Sequence, residues 1–570
     1  MRPARFLLCL GLCFSLASFG QNAPANAPVP HFEDITKSAG VTLSHLSSPE
    51  KRYIIESMSG GVGFIDCDND GKLDIITVNG SSVDRFRQSG GDPMITLYHQ
   101  DSNLHFTDIT KAAGLTHKGW GMGVSVMDYD NDGWQDIFVT GYNGNALYRN
   151  MGNCKFEDVT EKAGLNLVVF NGGAAWADYD RDGLVDVFIP GYVYVDINHL
   201  PEFGSNDKFC RYRGVMVQCG PGGLPGTPDH LFRNRGDGTF EDVSKKAGVD
   251  DPNHYYGLQA VWADYDNDGW PDLYVPNDGQ PNYLYHNKHD GTFEEVGLLS
   301  GAALSLDGKA EGSMGVDFAD IDHDGMLDIF VTNFVDEPNA LYWNQGDKGF
   351  TDIAWSAGIA QDTVPMVGWG TAMADFTNSG WDDIFVVNGH VYPQMDFVKG
   401  GAGYKQPLMY YRNNHNRTFE NISTQVGLDK FPKSSRRGAA FGDVNNDGKI
   451  DVLLLNVGEP PTLLLNRTET NGHAALFKLI GMKSNKAAIG ARVTVTCGDL
   501  VQFNEVRSGT SYFSQNDLRL HFGFGQCATM DKVEISWPSG QKDSYQNLAT
   551  DVIYTMVEGG KISQTTPLSK

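Results

Sequence analysis

The 570-residue sequence predicts an all-β fold, a seven-bladed β-propeller with integrin α-like calcium-loop blades followed by a small β-sandwich. Three observations predict it. An acidic nonapeptide recurs seven times. Each copy sits among short apolar segments in a fixed order. The final segment of the last repeat is absent from its place and appears instead at the N-terminus.

The copies are DCDNDGKLD from Asp66, DYDNDGWQD from Asp128, DYDRDGLVD from Asp178, DYDNDGWPD from Asp264, DIDHDGMLD from Asp320, DFTNSGWDD from Asp375 and DVNNDGKID from Asp443. Repetition at this spacing marks an array or a propeller. A glycine-rich apolar run such as GMGVSVMD precedes each loop and a run such as DIFVTGY follows it. Next come an LYRN-like segment, a turn, an F-x-D-x-T segment and an Ala-Gly pair. Short apolar runs split by Gly, Asn and Asp are strands, and four per repeat make a blade.

Fourth strands begin at Phe106, Phe156, Phe240, Phe293, Phe350 and Phe419, while HFEDITKSAG from His31 precedes every loop. The last repeat ends at PTLLLN (461–466), so the N-terminal strand is expected to complete the seventh blade and leave no open edge. The expected division is a signal peptide over 1–20, a propeller over 31–467, a β domain over 468–560 and a flexible tail over 561–570.

The stretch VMDYDNDGWQDIFVTGY (126–142) places four aspartates within nine residues, with no lysine or arginine beside them in sequence. A cation is expected among them. Hard divalent ions take six to eight oxygens, and carboxylates at positions 1, 3, 5 and 9 with a carbonyl at position 7 supply them. Loop one offers Asp66, Asp68, Asp70 and Asp74 with the Lys72 carbonyl; loop two Asp128, Asp130, Asp132 and Asp136 with that of Trp134. Loop three offers Asp178, Asp180, Asp182, Asp186 and Leu184; loop four Asp264, Asp266, Asp268, Asp272 and Trp270. Loop five offers Asp320, Asp322, Asp324, Asp328 and Met326. Loop seven, with Asp443, Asn445, Asp447, Lys449 and Asp451, should bind less tightly. Loop six keeps Asp375 and Asp383 but has Thr377 and Ser379, which makes it a weak site.

Asp, Asn and Gly also build plain turns, which would account for one such loop better than for five near-perfect copies in register. Position 12 is a strand residue such as Val139, where an EF-hand needs a bidentate glutamate. The expected cofactor is Ca2+, at about six or seven sites.

The chain carries a net charge of −27, which argues against nucleic acid or anionic lipid as a partner. Arg2 and Arg5, an apolar run from Phe6 and small residues near Gly20 form a secretory signal. The run is too short to span a membrane as a helix. A secreted, periplasmic or extracellular protein is expected. Six cysteines lie beyond that segment; Cys210 and Cys219 are the best disulfide pair and Cys497–Cys527 the second candidate, with Cys67 and Cys154 left unassigned.

The repeats resemble FG-GAP/VCBS repeats, the calcium-loop blades of integrin α-chains, over about 31–467. SNKAAIGARVTV (484–495), EVRSGTSYFSQNDLRLHFGFG (505–525) and VEISWPSG (533–540) resemble an ASPIC/UnbV domain, with the glycine step altered to GTSYFSQ. Together they are similar to the cartilage acidic protein family. That resemblance implies calcium-dependent extracellular binding or adhesion, with no established catalysis in the tail domain.

No GxSxG, HExxH or P-loop is present. Three classes stay open: a calcium-stabilised binder of an extracellular protein or glycan, a calcium-dependent polysaccharide lyase or hydrolase, and a structural envelope protein. The rim opposite the acidic loops carries the two largest insertions, about 190–230 and 387–407. Arg211, Tyr212, Arg213, His390 and Tyr392 there are the candidate ligand-binding residues. Trp537-Pro538-Ser539-Gly540 reads as a turn and His521 as a strand residue.

Overall fold

The computed structural model describes residues 28–48, 53–102, 104–200 and 210–569; the expected signal peptide lies outside them. Seven sheets carry the repeats, each a meander in sequence order. Sheet one is Val62–Ile65, Asp74–Val78, Ile95–Ser102 and His105–Asp108. The first strands of sheets two to six are Lys118–Met127, Ala175–Ala177, Val261–Ala263, Val316–Ala319 and Gly368–Ala374. Sheet two gains a short inner strand, Asp92–Pro93. Sheet seven joins Arg436–Gly442, Asp451–Asn456 and Thr462–Asn466 to the N-terminal Phe32–Asp34, with Phe32 opposite Asn466.

The first strands touch one another in cyclic order, and that of sheet seven returns to sheet one. They line the axis of a closed ring. Phe32 lies edge-on to Phe376 and Phe385 of sheet six, so the borrowed strand also fills the core between sheets. Deleting residues 21–36 is therefore expected to lower the melting temperature of the whole ring. A truncated chain that melts with the intact one would show that the ring closes without this strand.

A second closure runs through one side chain per repeat. An amide side chain at or near the end of each third strand donates to the second-position carbonyl of the preceding acidic loop. Asn150 reaches Cys67 at 2.9 Å, Asn234 reaches Tyr129 at 2.8 Å, and Asn287 and Asn344 reach Tyr179 and Tyr265 at 2.9 Å. Asn413 and Asn466 reach Ile321 and Phe376 at 2.9 Å, and Gln100 completes the circle on Val444 at 3.1 Å. Buried carbonyls need such partners; that of Cys67 also accepts Cys154 N at 3.3 Å. The Cys67–Cys154 disulfide joins sheets one and two on the same rim.

The C-terminal region forms two four-stranded sheets. One contains Leu520–Gly523, Ala474–Ile480, Val552–Val557 and Lys561–Pro567; the other Leu500–Glu505, Arg492–Cys497, Thr529–Ser536 and Lys542–Ala549. Alternate residues of Arg492–Cys497 are buried, and they share a core with Phe477, Phe522 and Trp537. Cys497–Cys527 is a disulfide.

The expected flexible tail is a strand. Lys561–Pro567 pairs antiparallel with Val552–Val557, Leu568 is buried against Gly448, and the Ser569 amide donates to the Asn446 carbonyl at 2.6 Å. An unpaired sheet edge and an apolar seat on sheet seven give this segment a place to dock.

Candidate metal-binding rim and its cap

All seven acidic loops lie on one rim. In loops two to seven the position-1 aspartate accepts the amides of positions 5 and 6. Asp128, for example, takes Asp132 N at 3.1 Å and Gly133 N at 2.8 Å, and Asp178, Asp264, Asp320, Asp375 and Asp443 repeat the pattern. The position-9 aspartate is buried and accepts the amide of the third-strand Asn; Asn150 N lies 2.7 Å from Asp136. Position 4 sits in the left-handed region in every loop, from Asn69 at φ 58° to Asn446 at φ 58°. From that turn Asn69, Asn131, Asn267, Asn378 and Asn446 each donate to the glycine carbonyl of the next loop at 2.9–3.0 Å.

The expectation that the aspartates lack cationic neighbours is corrected in space. Arg149 of the LYRN strand lies 2.5 Å from Asp130 and 3.0 Å from Asp132, and Arg233 lies 2.6 Å from Asp180 and 2.7 Å from Asp182. The strand sets this side chain, one residue before the amide residue, over the position-3 and position-5 carboxylates. Those arginines grip the outer oxygens only. The inner Oδ1 atoms of Asp130, Asp180 and Asp322 are buried and have no hydrogen-bond partner among the described residues.

Burial, with like charge from neighbouring aspartates, pushes Asp128, Asp178 and Asp320 up to about 7 and Asp136, Asp186 and Asp328 well above the usual carboxylate range. Oxygens of Asp66, Asp68 and Asp70, and of Asp128, Asp130 and Asp136, come within 4.8 Å of one another. Converging buried carboxylates with orphaned inner oxygens fit a hard divalent cation.

Loop six does not fit. Thr377 and Ser379 stand where loops one to five have the position-3 and position-5 carboxylates, Asp375 takes Thr377 N besides the two shared amides, and the second oxygen of Asp383 takes the Tyr410 hydroxyl. Gly523 of the C-terminal sheets packs against Asp375, where a Cβ would come within 2.0 Å of Oδ2. This loop is a seat for the other domain.

The C-terminal domain covers the whole acidic rim. Lys478 Nζ lies 3.1 Å from Asp66, Lys486 N donates to Asn131 at 2.7 Å, and Arg181 donates to the Pro538 carbonyl at 2.5 Å. Arg492 bonds the Asp264 carbonyl at 2.9 Å and Arg507 that of Phe318 at 3.0 Å; Gly525 N reaches Asn378 at 2.8 Å and Arg519 reaches Asn446 at 2.6 Å. His521, read as an ordinary strand residue, meets the Gly448 carbonyl at 3.0 Å. The WPSG stretch is the expected turn, closed by Gly540 N on the Trp537 carbonyl.

From this cap the segment 508–516 threads the axis of the ring. Gln515 pairs with Val62 and Phe64, the Phe513 carbonyl accepts Val124 N, and Ser508 accepts Trp176 N. Phe513 N reaches Gln259 beside sheet four, Ser511 exchanges two bonds with Val316 and takes Thr371 N on its hydroxyl, and Asn516 takes Phe441 N. The segment thus bonds to the inner strands of six sheets and to the residue just before the inner strand region of sheet four. A Cβ on Gly61 would fall 1.9 Å from the Phe513 carbonyl, so the close approach requires glycine there. Tyr512 and Phe513 are fully buried, 4.1 Å apart, and the Tyr512 hydroxyl bonds Met58 O at 3.0 Å.

The far rim is lidded by Ile55–Met58 and the two large insertions, whose aromatic residues form one core with Tyr512. Cys210–Cys219 is a disulfide that pins the hairpin Cys210–Tyr212 and Val215–Val217. Tyr212 and Arg213 both bond Asp336, at 2.6 and 2.5 Å, and Arg211 is exposed. His390 and Tyr392 are buried beneath Tyr212 and Phe334, which removes them from a surface role.

An FG-GAP-like repeat model matches residues 66–139, 128–189, 219–275, 264–331 and 324–386, just over half the chain. The chain belongs to the FG-GAP-like repeat family. An ASPIC and UnbV domain matches 481–563, the cap over the FG-GAP rim. Cartilage acidic protein 1 of Homo sapiens is 25% identical over 349 residues, 58% of this chain and 48% of that protein. The Mus musculus protein of the same name is 24% identical over 364 residues, 60% of this chain and 51% of that one. This FG-GAP chain thus spans about half the length of those relatives. A solved Agrocybe aegerita lectin that recognises terminal N-acetylglucosamine is 15% identical, covering 70% of this chain and 86% of that one at a TM-score of 0.38.

Proposed function

We propose that this is an exported, calcium-stabilised adhesion or ligand-binding protein whose far rim recognises an extracellular protein or glycan. The observation that carries the reading is the cap: the cation loops face the chain's own C-terminal domain, which leaves the outer surface of the far-rim lid, where Arg211 is exposed, as the face free to meet a ligand. Calcium in the loops then rigidifies the rim and seats the cap, while the ligand is met elsewhere. Three disulfides suit an oxidising compartment. Among the described residues no helix is long and apolar enough to cross a membrane.

The test is retention of purified chain on glycan arrays and on immobilised matrix proteins in calcium, beside the Arg211→Ala/Arg213→Ala variant. Selective retention of the wild type supports the reading. Turnover of a polysaccharide would favour the enzyme class, and no retention on any surface the structural one.

A further inference from the structure

The residue that precedes the amide side chain at the end of each third strand overlooks its own acidic loop. It is arginine in sheets two, three and six (Arg149, Arg233, Arg412), tryptophan in sheet five, leucine in sheet seven and histidine in sheets one and four (His99, His286). Arginine offers only donors to the aspartates. Histidine offers a lone pair.

At loop four, His286 Nδ1 lies 3.2 Å from Asp266 Oδ2 and 3.4 Å from Asp272 Oδ1, and the ligand atoms of Asp266, Asp272 and His286 fall within 4.8 Å of one another. A second observation separates this loop from its siblings. In loops one, two, three, five and seven the position-9 aspartate gives its second oxygen to the amide of position 2, as Asp74 does to Cys67 and Asp136 to Tyr129. In loop four, Oδ2 of Asp272 is buried without a hydrogen-bond partner among the described residues, and Asp272 is 1% exposed. His286 Nδ1 likewise has no aligned hydrogen bond. A nearly enclosed carboxylate oxygen left bare costs free energy that a bound cation recovers.

Resting on the reading that these loops hold cations, we propose that loop four is selective for a borderline transition ion of the zinc class, held by His286, Asp266 and Asp272. Mixed imidazole and carboxylate donors suit such ions, whereas calcium takes oxygen alone. His289 stacks on Trp270 and reaches Asp268 at 2.6 Å, which fixes the outer wall of the site. Loop one is the internal control. His99 meets Asp68 at 3.1 Å there, but Asp74 is already satisfied and Cys154 is held in a disulfide.

The experiment titrates Co2+ into metal-stripped full-length chain refilled with excess calcium, reading the visible d–d bands, with Zn2+ competition and calcium stoichiometry measured on the same samples. The wild type and His99→Arg should each take up one Co2+ that Zn2+ displaces. His286→Arg, which installs the side chain of sheets two and three, should weaken uptake by at least about tenfold with calcium stoichiometry at the other loops unchanged. His286→Gln serves as the second variant should the arginine disturb folding. The proposal is overturned if the wild type takes no Co2+ while its loops fill with calcium, or if both His286 variants keep it. A chain that binds neither ion would overturn the cation reading itself.

Discussion

Replacing Tyr512 and Phe513 by alanine should split the unfolding of the chain. The two rings sit on the axis of the ring of sheets, one touching Trp369 at 4.7 Å and both fully buried. Truncating a buried aromatic residue costs about 3–5 kcal/mol, and adjacent truncations are not additive. The larger consequence is loss of coupling. From the cap, the segment 508–516 bonds to strands of six sheets and to Gln259 beside sheet four, so without its aromatic tip the cap and the ring should melt in separate transitions. Differential scanning calorimetry of the double variant, with Phe397→Ala as an exposed control at 85% accessibility, reads this directly. One unchanged transition in the double variant would mean that the plug contributes nothing to cohesion.

Chelation should lower the melting temperature by tens of degrees rather than a few. At calcium ~100-fold above its dissociation constant each site contributes about 2.7 kcal/mol if the unfolded chain does not bind. Asp128→Ala should cost more stability in calcium than in chelator, because in calcium it loses an ion in addition to the amide bonds of Asp132 and Gly133. Asp375→Ala reverses the expectation that loop six is merely depleted. Asp375 is buried and bonded to three backbone amides, so its loss should be as damaging in chelator as in calcium. Equal calcium dependence of the two variants would contradict the division of the loops into cation sites and seat.

Much of this was legible in the sequence because it is local. Strand period, the glycine at position 6 and the fourth strand displaced to His31 are all read within one repeat or by counting repeats. The asparagine that ends the third strand of sheets two to seven was visible as LYRN, but its partner carbonyl lies on the preceding loop, and no spacing reveals a bond between sheets. Arg149 over Asp130 escaped for the same reason. GTSYFSQ read only as an altered glycine step within a domain, whereas Ser511 and Gln515 pair with strands about 200 to 450 residues earlier. Burial of His390 and Tyr392 followed from the aromatic lid, whose packing depends on insertions with no repeat pattern to guide them.

On the proposed reading, six acidic loops hold calcium beneath the cap while loop six holds the cap itself. Equilibrium dialysis of the full chain against calcium, with and without a saturating zinc-class ion, counts the sites. About six bound ions are expected in calcium alone, falling by one when Zn2+ occupies loop four and by one in Asp128→Ala. A chain that dialyses free of calcium at millimolar concentration would contradict it.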